Sequence, residues 1–180
     1  MPTEIELKLR LPPDCAARLQ RYPLLKSLGI SSPVTQKLHS VYYDTPNLDL
    51  QRLGVALRLR RIGRRWVQTI KGGGSVAAGL HQRDEWEAPV LKQQLDFTKI
   101  TDPGLVALFS PVELRTQLRP VFTTGFTRNI RLLRLADGSE AEFCLDPTKI
   151  PSRQSGVCRR TAPRKFIMTA AYGGVCLVVP

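Results

Sequence analysis

The chain lacks most of the motifs that identify an enzyme at a glance. It has no GxSxG elbow, no Walker A loop and no GxGxxG turn, so serine-hydrolase, P-loop and dinucleotide-binding chemistry are without their markers. Histidine is scarce, and neither His39 nor His81 sits in a catalytic or metal-ligand pattern. The four cysteines (Cys15, Cys144, Cys158, Cys176) form no CxxC and have no histidine at zinc-like spacing, which excludes a structural zinc site and reads as reduced thiols. No apolar run is long enough to span a bilayer, and Glu4 and Glu6 make the N-terminus unlike a signal peptide. A cytoplasmic protein without a membrane partner is expected. One absence is local: residues 147–180 contain no carboxylate side chain.

What is present is a chain of 180 residues with ordinary hydrophobic content (42%), enough for one domain with a substantial core. It carries 27 basic and 15 acidic residues, a net charge of +12, which predicts an anionic partner. Residues 1–146 hold all 15 acids and 21 of the bases, so half of the excess belongs to the last 34 residues. No RRM, KH or helix-turn-helix signature occurs, so a specific nucleic-acid binder is disfavoured.

Strand signals dominate the pattern. Residues 3–10 alternate Glu4, Glu6 and Lys8 against Ile5, Leu7 and Leu9. Residues 14–28 read as a helix interrupted at Pro23 and stopped by Gly29. A strand follows in "KLHSVYYDTP", then a short helix with Thr45 as cap, Pro46 at its first position and Gly54 closing it. Residues 55–61 and 65–71 form a hairpin, and Gly72, Gly73, Gly74 and Gly79 predict a flexible loop. The strand "HQRDEWEAPV" puts Arg83, Glu85 and Glu87 on one face and Trp86 on the other. Thr101 or Asp102 with Pro103 opens a helix through Phe109, and Pro111 opens another. A second hairpin turns at Asp137-Gly138 and aligns Glu140, Glu142, Cys144 and Asp146 on one face of its second arm.

Taken singly, each charged face reads as solvated. Together they differ from a wet sheet face, which mixes in Ser, Thr, Asn and Gln. An α+β fold is expected, an antiparallel barrel with its charges inside and helices packed outside. Guanidinium and ammonium groups clamp phosphoryl oxygens, whereas carboxylates hold the divalent cations that bridge such oxygens. Polyphosphate handling uses both.

The pattern Glu4-Ile5-Glu6-Leu7-Lys8 resembles the ExExK signature of the CYTH domain, in the triphosphate tunnel metalloenzyme superfamily. The resemblance continues through "YYDTPNLDLQRLGVALRLRRIGRRWVQTIKGGG", "RDEWEAPV" and "PVFTTGFTRNIRLL", ending near "AEFCLD". It implies a tunnel-shaped barrel that takes a small-molecule triphosphate with Mg²⁺ or Mn²⁺. By position, Glu4, Glu6, Glu85, Glu142 and Asp146 are the implied metal ligands, the last three also able to orient basic residues. Arg58, Arg60, Lys71, Arg83 and Arg128 are the implied phosphate contacts. Lys8 is implied as a contact to substrate or water and, with Glu87, as a catalytic residue. Hydrolysis of inorganic triphosphate is the leading expectation, with thiamine triphosphate second. A non-catalytic polyphosphate binder is the alternative, and an adenylyl cyclase is less favoured.

The resemblance implies a further Glu-x-Glu strand after Asp146, and none occurs. Alternation, mixed charge and family pattern all stop within a few residues. Residues 1–146 are therefore expected to form the tunnel domain, and residues 147–180 an atypical basic tail of the kind a shifted reading frame produces. A barrel with an open edge and too few carboxylates for two metals would follow.

Overall fold

The structure, a computed structural model, describes residues 3–11, 13–77, 80–148 and 165–172. The side chains of Glu4, Lys8 and residues 165–172 lie outside the described set. Among the described residues the strands are β1 (Thr3–Leu11), β2 (Val34–Asp44), β3 (Ala56–Ile62), β4 (Arg65–Ala77), β5 (Leu80–Val90), β6 (Arg119–Arg134), β7 (Glu140–Thr148) and β8 (Lys165–Tyr172). The helices are α1 (Pro13–Gln20), α2 (Pro23–Ser27), α3 (Asp49–Arg52), α4 (Pro103–Phe109) and α5 (Val112–Gln117). The fold is α+β, an antiparallel β-barrel with strand order β1-β5-β4-β3-β2-β6-β7-β8, and β8 pairs in turn with β1. No described helix is long and apolar enough to cross a membrane.

The chain divides into two compact units. The first comprises Leu38–Gly73 and Arg83–Gly125. Alternation in its strands sends Leu57, Leu59, Ile70, Trp86 and Ala88 to one buried face. Leu50 of α3, Leu105 and Phe109 of α4, and Ile100 close over that face. Gln68 is buried there without penalty, because its amide donates to the Asp96 carbonyl (3.2 Å) and accepts from the Asp96 N–H (2.8 Å). Leu50 is fully enclosed. Replacing it by alanine should lower unfolding free energy by about 2–5 kcal/mol, read as a lower urea midpoint at unchanged slope.

The second unit takes its described residues from Thr3–Lys37, Gly74–Gln82 and Phe126–Pro180. Leu25 of α2 packs with Leu133, Phe143 and Leu145, and Leu19 of α1 joins them with Leu9, Leu11 and Leu28. Pro23 does not merely interrupt a helix; it starts α2, where its missing N–H is harmless. Arg58, Arg60, Lys71, Glu85 and Glu87 in the first unit, and Glu142 and Asp146 in the second, alternate with the apolar residues of their strands.

Three expectations are corrected. The helix after "YYDTP" is a single turn, Asp49–Arg52, whose N-cap position is Leu48 rather than Thr45, and a carboxylate from outside the helix takes its first N–H groups. The Asp44 carboxylate accepts from the N–H groups of Thr45 (2.7 Å), Leu50 (2.9 Å) and Gln51 (3.1 Å). Thr45 instead exchanges hydrogen bonds with Asp49, and Leu48 turns the chain with φ 59°. The glycine run 72–74 lies within β4 rather than in a loop, with Gly73 and Gly74 at φ 64° and 89°. Gly79 lies outside the described residues. Finally, the barrel edge expected to be open is filled: β8 pairs with β1 and β7 on its two sides. Strand pairing uses backbone groups, so a segment without carboxylates can serve. The missing acids change the chemistry of that strand, not its capacity to pair.

Candidate functional site

In the first unit, β3, β4 and β5 bring four of the expected residues together. Arg58 and Arg60 point away from Leu57 and Leu59, onto the face opposite the core. Lys71 Nζ lies 3.1 Å from Glu85 Oε2. Arg58 Nη2 lies 3.5 Å from both Glu85 Oε1 and Glu87 Oε1. Thr69 Oγ1 donates to Glu87 Oε1 at 2.7 Å. Only 12% of the Arg58 side chain is exposed, and its Nε–H has no partner among the described residues. A buried donor left unmade is unfavourable by about 1–3 kcal/mol, and a ligand oxygen would relieve it.

The neighbours divide by role. Arg60 donates from Nε to Ser40 Oγ at 3.0 Å, which fixes its fork beside Arg58 on the same strand. Arg83 is exposed on β5 and shares the parity of Glu85 and Glu87. Glu85 is engaged by two cationic side chains, so its observed work is to hold Arg58 and Lys71 in place. Thr69 and Ser40 were not expected, yet parity was a signal for Thr69, which alternates with Lys71 on β4.

The second unit carries another charged group. Arg128 on β6 makes a bidentate pair with Asp146 on β7, at 2.8 Å from Nε to Oδ1 and 2.5 Å from Nη2 to Oδ2. Burial works to lower the Arg128 pKa, but the hydrogen bonds and charge of Asp146, aided by Cys144 and Glu142, raise it on balance, so the guanidinium stays charged. Burial is the largest influence on Cys144 and raises its thiol well above the usual range, and Glu142 and Asp146 add to it. The protonated thiol donates to Glu142 Oε1 at 3.1 Å. Register places Glu6 and Glu142 at equivalent positions on the two sides of β8, each opposite Ala171. Glu6 is itself buried (8% exposed). Glu4 and Lys8 lie on the same strand as Glu6, and their side chains fall outside the described residues.

Cationic side chains held as Arg58 and Lys71 are suit an anion with several oxygens. Residues 2–151 match the CYTH domain. The inorganic triphosphatase of Haemophilus influenzae is 31% identical over 148 residues, covering 82% of this chain and 40% of that protein, so the chain spans about two fifths of its curated relative. A Hippeastrum protein assigned as an adenylyl cyclase and showing a dominant triphosphatase activity has the same fold. It superposes with a TM-score of 0.61 at 18% identity, covering 93% of this chain and 79% of that one. A Bacillus halodurans protein assigned as an adenylate cyclase gives a TM-score of 0.55, also at 18% identity, covering 95% and 82%. With the family pattern matched over most of its length and the fold shared, the chain belongs to the CYTH domain family.

Proposed function

We propose that this protein hydrolyses a triphosphate with the help of a divalent cation, and that inorganic triphosphate is its first substrate, ahead of thiamine triphosphate. The observation that carries the reading is the Arg58 side chain: buried, braced by Glu85 and Glu87, and holding an unpartnered Nε–H. Glu85 holds Lys71 beside it, and Arg60 is fixed by Ser40. These three cations offer charge-assisted bonds to phosphoryl oxygens without reorganising, which is where catalysis of phosphoryl transfer is won. The relative named an inorganic triphosphatase supports the choice of substrate.

The donor set also fits a hard cation. Among the described residues, no three His, Cys, Asp or Glu side chains stand together as a metal cluster. Glu6 and Glu142 nevertheless hold matching register positions on either side of β8, and Glu4 lies two residues from Glu6. Mg²⁺ is commonly held by one or two carboxylates, with water and substrate phosphates completing its shell. Glu6, Glu142 and Glu4 would hold it, whereas Glu85, Glu87 and Asp146 orient cationic side chains. A bound Mg²⁺ or Mn²⁺ neutralises phosphate charge and lowers the pKa of water. Attack of water in line on a terminal phosphorus breaks the anhydride bond and releases phosphate and diphosphate. We assign Glu87 to that water: its Oε1 accepts from Thr69 and Arg58, and Oε2 accepts from neither; Lys8 is proposed as a contact to substrate or water on the family resemblance alone.

Phosphate release from inorganic triphosphate, thiamine triphosphate and ATP tests the reading. Release should occur with Mg²⁺ or Mn²⁺ and be lost in EDTA. Tight triphosphate binding without release under any of these metals would instead identify a non-catalytic binder, the reading favoured by the absence of carboxylates after Asp146. The boundary at Asp146 keeps its own proposal, that residues 147–180 arise from a shifted frame. Translating the same DNA in the other two frames should show a Glu-x-Glu strand, and two frames without one would reject it.

A further inference from the structure

Cys144 of β7 is only 1% exposed. Its neighbours Phe143 and Leu145 pack with Leu25 and Leu133, and strand alternation turns Cys144 to the other face, between Glu142 and Asp146. There its thiol donates to Glu142 Oε1 at 3.1 Å. Both oxygens of Asp146 are taken by the Arg128 fork. Of the four carboxylate oxygens on these two side chains, Glu142 Oε2 is thus the one that accepts from no described residue. A cysteine kept for packing alone needs no polar partner. This one is bonded to a carboxylate proposed to hold the divalent cation, and it occupies one oxygen of that carboxylate and leaves the other.

We infer that Cys144 is a positioning residue that sets the choice of cation: its thiol retains Glu142 Oε1, Glu142 offers the cation one oxygen, and the site takes Mg²⁺ or Mn²⁺ ahead of Ca²⁺. This rests on the cation-binding role proposed for Glu142 and extends it to specificity. Mg²⁺ demands a compact, near-ideal octahedral shell, which a carboxylate enters through a single oxygen. Ca²⁺ takes a looser shell of roughly six to eight oxygens and gains from a carboxylate that can offer both. A thiol suits the task because it donates to Glu142 while adding no charge beside Asp146, and hard cations prefer oxygen to sulfur. Partners that orient a ligating carboxylate matter nearly as much as the ligand, their loss typically lowering metal affinity by about 10–100-fold.

Electron paramagnetic resonance of Mn²⁺ added to the whole chain provides the test, since the sharp signal of the aqueous ion fades on binding. Competition by Mg²⁺ and by Ca²⁺ then gives the ratio of their affinities. Cys144→Ala should lower the preference for Mg²⁺ over Ca²⁺ by about tenfold or more. Cys144→Val, which fills the space of the thiol without a donor, should do the same, so that the test stands if one variant fails to fold. Cys144→Ser keeps a donor and should keep the preference, and circular dichroism checks each fold. An unchanged ratio in either folded donor-less variant, a serine variant as indiscriminate as alanine, or a wild-type protein that binds Mn²⁺ without favouring Mg²⁺ over Ca²⁺ would each overturn the role of Cys144 and leave the cation site standing. A wild-type protein that binds no Mn²⁺, or a Glu142→Gln variant that binds it as tightly as the wild type, would overturn the role of Glu142 and this inference together.

Discussion

Arg58→Ala should lower kcat/KM for triphosphate by about a hundredfold or more while leaving the protein folded. The magnitude follows from what the side chain offers: a nearly buried guanidinium with one N–H unmade and a second held at 3.5 Å from two carboxylates. Removing one preorganised donor from a developing charge typically lowers the rate by about 10²–10³. Stability should suffer less, because Glu85 keeps Lys71 at 3.1 Å and Glu87 keeps the Thr69 hydroxyl at 2.7 Å. Arg58→Lys should recover part of the loss, since an ammonium restores charge without the fork. Affinity for monophosphate should fall less than affinity for triphosphate, because fewer oxygens are lost. Equal losses for the two ligands, or an unchanged kcat/KM, would mean that Arg58 serves only the Glu85 and Glu87 carboxylates.

Much of this arrangement is legible in the sequence because strand parity is a local property. Leu57 and Leu59 against Arg58 and Arg60, or Phe143 and Leu145 against Glu142 and Asp146, can be sorted without knowing any neighbour. The turn at Asp137-Gly138 and the cap of α4 are equally local: Gly138 has φ 84°, and Asp102 accepts from the Leu105 N–H at 3.0 Å. What is not legible depends on partners remote in the chain. Tyr42 and Phe122 meet only because β2 and β6 are neighbours in the barrel order. Composition also misleads. The carboxylate-free tail looks unable to continue the sheet, yet residues 165–172 are rich in β-forming and small apolar types, and pairing asks for no charge. The glycines of β4 mislead in the same way, since a strand can pass through positive φ where no side chain obstructs it. Whether a charged residue binds substrate or braces another side chain is likewise beyond parity. Glu85 and Asp146 share faces with the candidate ligands, and only their contacts show that cationic side chains engage them.

Asp146→Ala should destabilise the protein by about 3 kcal/mol, and added triphosphate should return part of that loss. The first half is an electrostatic consequence of burial. Side-chain exposure is 18% for Arg128 and 12% for Asp146, so deleting the carboxylate strands a guanidinium that water reaches poorly. Breaking a buried pair from one side is unfavourable by about 3–5 kcal/mol, whereas replacing both members by apolar groups is often neutral. Arg128→Met combined with Asp146→Leu should therefore recover most of the urea midpoint that Asp146→Ala loses. The second half separates bracing from binding. If Arg128 contacts phosphate, as the family resemblance implies, then in the wild-type protein a phosphoryl oxygen must share the fork with Asp146. In Asp146→Ala that competition is gone, and the ligand supplies the missing negative charge. Triphosphate should accordingly raise the urea midpoint of Asp146→Ala more than that of the wild type, measured with Mg²⁺ at the same free ligand concentration. An equal rise in both proteins would confine Arg128 to holding β6 against β7. A larger rise in the variant would place a phosphoryl group at the Arg128 fork and make Asp146 the residue that keeps it aligned between turnovers.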